Sequence, residues 1–301
     1  MTVAPVVLFV YNRPVHTQKT IKSLARNQQA RETVLHICSD GPKTAQDEAS
    51  VHAVRACLKS VRGFKDVVVH TEQSNIGCAS SIINGVTRLV GEYGKIIVLE
   101  DDLVTSPWFL AFMNQALDRY QDVDRVMHVC GSMYPIDPQG LPETFFVRHV
   151  NSCGWGTWAG AWKMLEPSVE KLVNCFDDTQ KRYLNLDGAY DFWDHLERNL
   201  TGELRTWAIR WYASVVLNKG LSLYPSISLI ENIGFDGTGS HCEKTSRFAV
   251  QARTRPILEF SEVIEENPLA LKRIKRFLWH SEALGVRVRR ILKNMTSSFL
   301  R

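Results

Sequence analysis

The sequence predicts an α/β protein: a mostly parallel sheet with helices on both faces, followed by a helical tail. Through the first half, short β-rich apolar runs alternate with helix-length segments of mixed polarity, the pattern of strand–helix units. The run at 96–99 is short and wholly apolar, as a strand buried in the sheet centre must be. At 301 residues and 45% apolar, the chain can bury one large core or two modest ones.

The elements follow in order. Residues 5–11 form the first strand, ended by Asn12-Arg13-Pro14, and a helix runs over 15–26. The second strand, 34–39, closes in Asp40-Gly41-Pro42, residues that supply turn geometry. A polar helix covers 44–61 and a third strand 67–71; Ser74-Asn75-Ile76-Gly77 then leads into a helix ending near Tyr93. The 96–99 strand runs straight into Glu100-Asp101-Asp102. Ser106-Pro107 opens the next helix, serine as cap and proline at the first helical position. The second half is less regular. Strands are expected at 126–130 and 145–150, helices around 189–200 and 205–219, and short strands at 222–224 and 226–230. Between them, 154–160 is rich in glycine and tryptophan. Nothing resembling a linker precedes Pro256, which gives one domain over 1–255 and a tail over 256–301.

Bulk properties exclude several classes. No apolar run approaches the roughly 18–20 residues that cross a bilayer. Residues 1–10 lack a basic flank and a small-residue cleavage site, and read as a strand and not a signal peptide. Seven cysteines without a C-x-x-C pair argue against a disulfide framework and a zinc site, and suit a reducing cytosol. From Lys272 to Arg301, nine basic residues against the single acid Glu282 make that stretch +8, which leaves the body of a +4 chain at −4. An acidic body does not suit a nucleic-acid partner.

The acidic triplet carries the chemistry. Ligands of open α/β sheets bind outside the carboxyl ends of the strands, and Glu100-Asp101-Asp102 stands at such an end. Three adjacent carboxylates repel one another unless a cation or hydrogen-bond donors compensate them. Mg²⁺ or Mn²⁺ suits one or two carboxylates completed by a diphosphate and water, and such an ion takes up charge as a nucleoside diphosphate leaves. The plainer alternative, acids capping the next helix at its positive end, fits less well, because that helix starts only after Ser106.

With these residues in place, the chain resembles a GT-A-fold glycosyltransferase, near the inverting family 2-like and N-acetylglucosaminyltransferase I-like groups. The matching pieces are Val7 through Pro14, Ser39-Asp40-Gly41, Asn75-Ile76-Gly77 and Val98 through Leu103. Gly154-Trp155-Gly156-Thr157-Trp158, Asn232-Ile233-Gly234 and Gly239-Ser240-His241 follow, so the resemblance spans about residues 4–242. It implies a metal-dependent transfer of a sugar from a nucleotide-sugar donor, a UDP-sugar first, to a hydroxyl acceptor on a glycan or lipid-linked saccharide. Inversion rests on the resemblance alone.

The resemblance also implies roles. Tyr11, Asn12 and Arg13 would lie near base and ribose, with Arg13 able to reach a phosphate. Asp40 would accept a hydrogen bond from uracil or ribose, or else bond its own turn. Asn75 and Gly77 would bring backbone to the nucleotide, or simply form a helix entry. Asp102 would be the direct metal ligand, Asp101 would bond ribose or sugar hydroxyls, and Glu100 would stand behind them. Trp155 would offer a flat face to a sugar, or pack in the core. His241, after a flexible Gly-Thr-Gly-Ser stretch, would ligate the metal or touch the diphosphate.

Inverting transfer needs a base for the acceptor hydroxyl. Related chains carry an acid after a tryptophan late in the domain, where this chain has Trp207-Ala208. The upstream Asp191-Phe192-Trp193-Asp194 resembles the base-carrying stretch of the N-acetylglucosaminyltransferase I-like group, so Asp194 is the first candidate, with Asp191 and Glu203 behind it; a solvated acidic helix face is the alternative. Residues 268–301 combine bases with apolar residues and Trp279, a pattern suited to an anionic membrane surface or to helices packed back on the domain. A cytoplasmic protein peripheral to the inner face of the membrane is the corresponding expectation. Two rivals remain: a nucleotidyltransferase, which would show a glycine-rich basic loop in place of Tyr11-Asn12-Arg13-Pro14, and a non-catalytic module that holds a nucleotide-sugar or glycan.

Overall fold

Five consecutive apolar β-formers, Val6–Val10, are buried on both faces. Their alternation sends Val6, Leu8 and Val10 into one core and Val7 and Phe9 into a second, so helices must cover both sides. The computed structural model describes residues 3–239 and 244–282. β1 (Val6–Val10) leads to α1 (Pro14–Leu24), β2 (Val34–Ser39) to α2 (Ala45–Leu58) and β3 (Asp66–Thr71) to α3 (Cys78–Tyr93). β4 (Lys95–Glu100) is followed by β5 (Leu103–Thr105), α4 (Phe109–Arg119), β6 (Val126–Cys130), β7 (Thr144–Val147) and β8 (Trp155–Trp158). A helical stretch then runs through α5 (Ala159–Trp162), α6 (Val169–Cys175), α7 (Asp178–Leu184), α8 (Phe192–Leu200) and α9 (Ala208–Leu217). β9 (Leu221–Pro225), β10 (Ile230–Asn232) and α10 (Pro268–Ser281) complete it.

The eight-stranded sheet has the order β3-β2-β1-β4-β8-β6-β9-β7. Its first four strands are parallel, with Leu8 opposite Ile37 on one side and Leu99 on the other. β8 enters antiparallel between β4 and β6, and β7 is antiparallel to β9. This is the mixed sheet with helices on both faces that the GT-A expectation describes. β10 pairs antiparallel with β5 in a separate small sheet. That pairing explains why α4 begins at Phe109, three residues after the expected serine cap: the chain first completes β5, and Ser106 Oγ accepts from Trp108 N at 3.2 Å.

The glycine- and tryptophan-rich segment is a central strand. A Cβ on Gly156 would lie 2.9 Å from the Ile96 carbonyl and 3.0 Å from Met113 Cε, so glycine there lets α4 lie close to the sheet. Trp155 has no exposed surface and packs against His128, Trp162, Trp207 and Trp211. The sugar-shelf role expected of Trp155 is therefore corrected: its indole is core.

The stretch from Pro256 shows no break in packing over its described residues. Phe260 stacks on Phe112, Asn267 N donates to the Phe146 carbonyl at 2.8 Å, and Asn267 caps α10 by accepting from Ala270 N. Ala270, Ile274 and Leu278 join Phe145, Val147 and Tyr224 in a third cluster. The apolar stripe of α10 thus faces the protein, while Lys272, Arg276 and His280 stay exposed. No helix among the described residues is long and apolar enough to cross a membrane.

Burial of His128 has a measurable consequence. Trp211 Nε1 donates to His128 Nδ1 at 3.1 Å, so that nitrogen carries no proton, and His128 Nε2 lies 3.0 Å from the Asn151 carbonyl, to which it donates. The neutral ring satisfies both bonds, and burial pushes the pKa of His128, and of the buried His149 beside it, down to about 3. Below the ordinary value of 6.5 the unfolded chain takes up protons that the folded chain refuses, so stability falls as pH drops from there toward 3. Between pH 7 and pH 5 the expected loss is about 2 kcal/mol per histidine. Titration of the two imidazole rings by NMR checks it, since carboxyl groups with raised pKa values offset the loss in total stability; protonation of either ring at about pH 6 would overturn it.

Candidate active site

Parallel strands β1 to β4 deliver four loops to one rim. Beyond β1, Tyr11 Oη accepts from Lys43 N at 3.1 Å and Asn12 Nδ2 donates to Asp47 Oδ1 at 2.9 Å, which fixes this loop against the start of α2. Arg13 turns inward. Its guanidinium pairs with Asp101 and, at 2.9 Å, with Asp102 Oδ2. Arg13 Nη1 is buried without a partner among the described residues, and an orphan buried donor is rare unless a ligand or water completes it.

After β2, Asp40 is buried, and its carboxylate accepts four hydrogen bonds. Gly41 N (2.8 Å) and Ile76 N (2.9 Å) reach Oδ1, and Asn75 Nδ2 and Gly77 N (both 3.0 Å) reach Oδ2. A carboxylate has about four acceptor sites, so Asp40 ties the loop after β2 to the loop after β3. Asn75 also donates to the Gly41 carbonyl at 3.0 Å, and Gly77, at φ 82°, forms the left-handed entry to α3.

After β4 comes the triplet. Asp101 is almost wholly buried, Asp102 retains 17% side-chain exposure, and Arg13 is their paired cation. Burial first, and repulsion from its acidic neighbours second, push Glu100 up to about 8; burial raises Asp101 to about 6 against the opposing pull of Arg13. Glu100 so raised is mostly protonated at pH 7, which leaves the single guanidinium of Arg13 shared between Asp101 and Asp102. The Ile76 and Gly77 amides on Asp40 bring the start of α3, at Cys78, to the same rim.

On the far side Ile233 N donates to the Asp102 carbonyl at 2.9 Å, and Gly234 N donates to Asn232 Oδ1 at 2.8 Å. A Cβ on Gly234 would come within 2.0 Å of Asp102 Oδ2, so the Gly234 backbone is packed against the oxygen that Arg13 also holds, and only glycine fits there. Two carboxylates sharing one guanidinium leave a charge deficit that fits a divalent cation. Among the described residues, no set of three or more His, Cys, Asp or Glu could enclose an ion, so one held here would draw its remaining ligands from a diphosphate and water. Gly234→Ala should push the Asp102 carboxylate aside. Overpacking of this kind costs about 1–3 kcal/mol, expected as a loss of that size in urea denaturation, with Gly91→Ala, where a Cβ meets nothing within 4 Å, as the control.

A cavity of about 260 Å³ adjoins the triplet across Cys153 and Asn232. The rings of Tyr134, Phe192, Tyr212, Phe235 and Phe248 stand in its wall among small, polar and aliphatic side chains. No Asp or Glu lines it among the described residues, and Ala208, at the start of α9, forms part of the wall. The three carboxylates expected to act as base stand elsewhere. Asp191 caps α8, accepting from Asp194 N at 3.2 Å and Asn185 Nδ2 at 3.1 Å. Asp194 is half-exposed, 3.7 Å from Arg198, and Glu203 pairs with the same arginine at 2.7 Å. From α8 it is Phe192 and His195 that reach the cavity. Residue choice alone does not single out His195; its three-residue offset from Phe192, beside the buried Trp193 and Leu196, is the signal that could have done so. His241 lies outside the described residues.

No protein-family model matches the chain, and no curated protein is similar to it. Among solved structures it is similar to S. aureus TarS, at TM-score 0.40 and 14% identity over 54% of this chain and 30% of that one. Mouse xyloside xylosyltransferase 1, apo form, gives TM-score 0.37 and 14% identity over 71% of this chain and 81% of that one. The mannosyltransferase PcManGT from Pyrobaculum calidifontis, in complex with GDP-Man and Mn²⁺, gives TM-score 0.36 and 9% identity over 71% and 68%. The chain thus spans less than a third of TarS. Likenesses this distant assign no activity, and the site is read from its own residues.

Proposed function

We propose that the chain is a glycosyltransferase that takes a nucleotide-sugar donor, a UDP-sugar first, at the carboxyl rim of β1 to β4. The sugar would pass to a hydroxyl of a glycan or lipid-linked saccharide seated in the adjoining cavity. The observation that carries this reading is the under-compensated triplet Glu100-Asp101-Asp102 at the end of a buried central strand, opening beside a cavity of about 260 Å³. Asp102, the more exposed of the two carboxylates paired with Arg13, would hold Mn²⁺ or Mg²⁺, and the ion would supply positive charge to the departing diphosphate. Arg13 turns its unpartnered Nη1 to a phosphate oxygen. Tyr11, Asn12 and the Asp40 clamp hold the rim loops that flank the nucleoside. Surface polysaccharide or glycan assembly at the inner face of the membrane accords with the exposed bases of α10.

Titration of UDP-, GDP- and dTDP-sugars, with and without Mn²⁺, tests the reading. Metal-dependent binding of one class followed by release of nucleoside diphosphate is the expected result, and binding of none would overturn it. One observation favours a second reading, a non-catalytic nucleotide-sugar module: among the described residues no carboxylate reaches the cavity wall, where Ala208 stands. Saturable binding without release of nucleoside diphosphate would select it.

A further inference from the structure

We propose that His195 is the proton acceptor for the attacking hydroxyl, in place of a carboxylate; the inference rests on the glycosyltransferase reading above. A general base must lie within hydrogen-bond reach of the proton it takes, which confines the search to the cavity wall. No acid lines that wall among the described residues, and α8 presents Phe192 and His195 to it while Asp194 turns to Arg198.

The other titratable groups of the wall among the described residues are unsuited. The phenols of Tyr134 and Tyr212 and the thiol of Cys153 are driven up by burial, so they keep their protons and are poor bases. His149 has its Nε2 engaged 2.8 Å from Tyr134 Oη, and the ring is only 2% exposed. His195 is held more loosely. Its Nε2 lies 3.5 Å from Tyr190 Oη, the outer limit of a hydrogen bond. Burial lowers its pKa, with Asp194 and Asp191 opposing and Arg198 assisting, so the ring is neutral and able to accept at pH 7.

In the step, the acceptor oxygen forms its bond to the anomeric carbon as the bond from that carbon to the diphosphate oxygen breaks. The bonding pair leaves with the nucleoside diphosphate. The hydroxyl proton passes to a ring nitrogen of His195 and goes on to solvent once the product departs. Water in the cavity undergoes the same transfer, which makes donor hydrolysis a usable probe while the acceptor is unidentified.

The test measures UDP affinity by calorimetry, and hydrolysis of the UDP-sugar that binds, in the full chain with Mn²⁺. His195→Gln is expected to lower kcat about 10²–10⁴-fold with UDP affinity unchanged, and His195→Ala is expected to regain hydrolysis when imidazole is added. Rescue by imidazole separates proton transfer from a structural role, which added base would not restore. The proposal is overturned if His195→Gln turns over like the wild type, if imidazole restores nothing to His195→Ala, or if Asp194→Asn loses turnover while His195→Gln keeps it. Donor binding without turnover in the wild type removes the base but leaves a nucleotide-sugar site; no donor binding at all removes the glycosyltransferase reading itself.

Discussion

Replacing Asp102 with alanine is expected to remove metal-dependent donor binding and to lower turnover about 10³-fold or more while leaving the protein folded. The first half of that expectation follows from position. Of the two carboxylates paired with Arg13, Asp102 is the more exposed, 17% against 6% for Asp101. A cation seated there stabilises charge on a leaving diphosphate by several kcal/mol, and 1.4 kcal/mol corresponds to each tenfold. The second half follows from electrostatics. Arg13 keeps its bond to Asp101 in the variant, and one of the two carboxylates that share it is gone, so the change in stability should stay within what a partly exposed ion pair produces, about 1 kcal/mol. Calorimetric titration of UDP with and without Mn²⁺, beside a thermal melt, reads both. Full metal-dependent affinity in Asp102→Ala would remove the ion from the triplet.

Much of this rim is legible in the sequence because local rules and tertiary structure agree there. Apolar runs ending in Asn-Arg-Pro, Asp-Gly-Pro, Asn-Ile-Gly and Glu-Asp-Asp are strand ends in any context, and parallel pairing brings such ends together. The segment at β8 is different. Its glycines are explained by Ile96, Met113 and Ile230, residues distant in the chain that a Cβ would strike, and nothing in Gly-Trp-Gly-Thr-Trp announces a strand. The seven-residue helices α6 and α7 are too short to show helical periodicity; they start on local caps, Ser168 accepting from Lys171 N and Asp177 from Gln180 N. The base escapes for a third reason. Chemistry favours a carboxylate, and Asp191 and Asp194 have the right identity, but the rotation of α8 is set by the burial of Trp193 and Leu196. That rotation carries His195 to the cavity and leaves Asp194 with Arg198.

Asp40 separates a clamp from a ligand contact, and its variants should lower stability and donor affinity together. Asp40→Ala removes all four acceptors at once and strands the amides of Gly41, Ile76 and Gly77. Hydrogen bonds to a charged group contribute about 1.5–3 kcal/mol each, and they are not additive within one network; with the site partly open to water, a loss of about 2–4 kcal/mol is expected in urea denaturation. Asp40→Asn should be nearly as damaging. Its one carbonyl oxygen can still serve Gly41 and Ile76, but its amide nitrogen then faces two other donors, Asn75 Nδ2 and the Gly77 amide. The loops cannot spread to relieve this, because they are pressed together at Gly41, where a Cβ would meet the Ser74 backbone at 2.5 Å. The opposite result is informative as well. If Asp40→Asn kept wild-type stability and lost only nucleotide affinity, the carboxylate would be reading base or ribose directly, as the resemblance to glycosyltransferases implies. A joint loss makes it the tie that holds two rim loops at the spacing a nucleoside needs, so that the site depends on a carboxylate that never touches the donor.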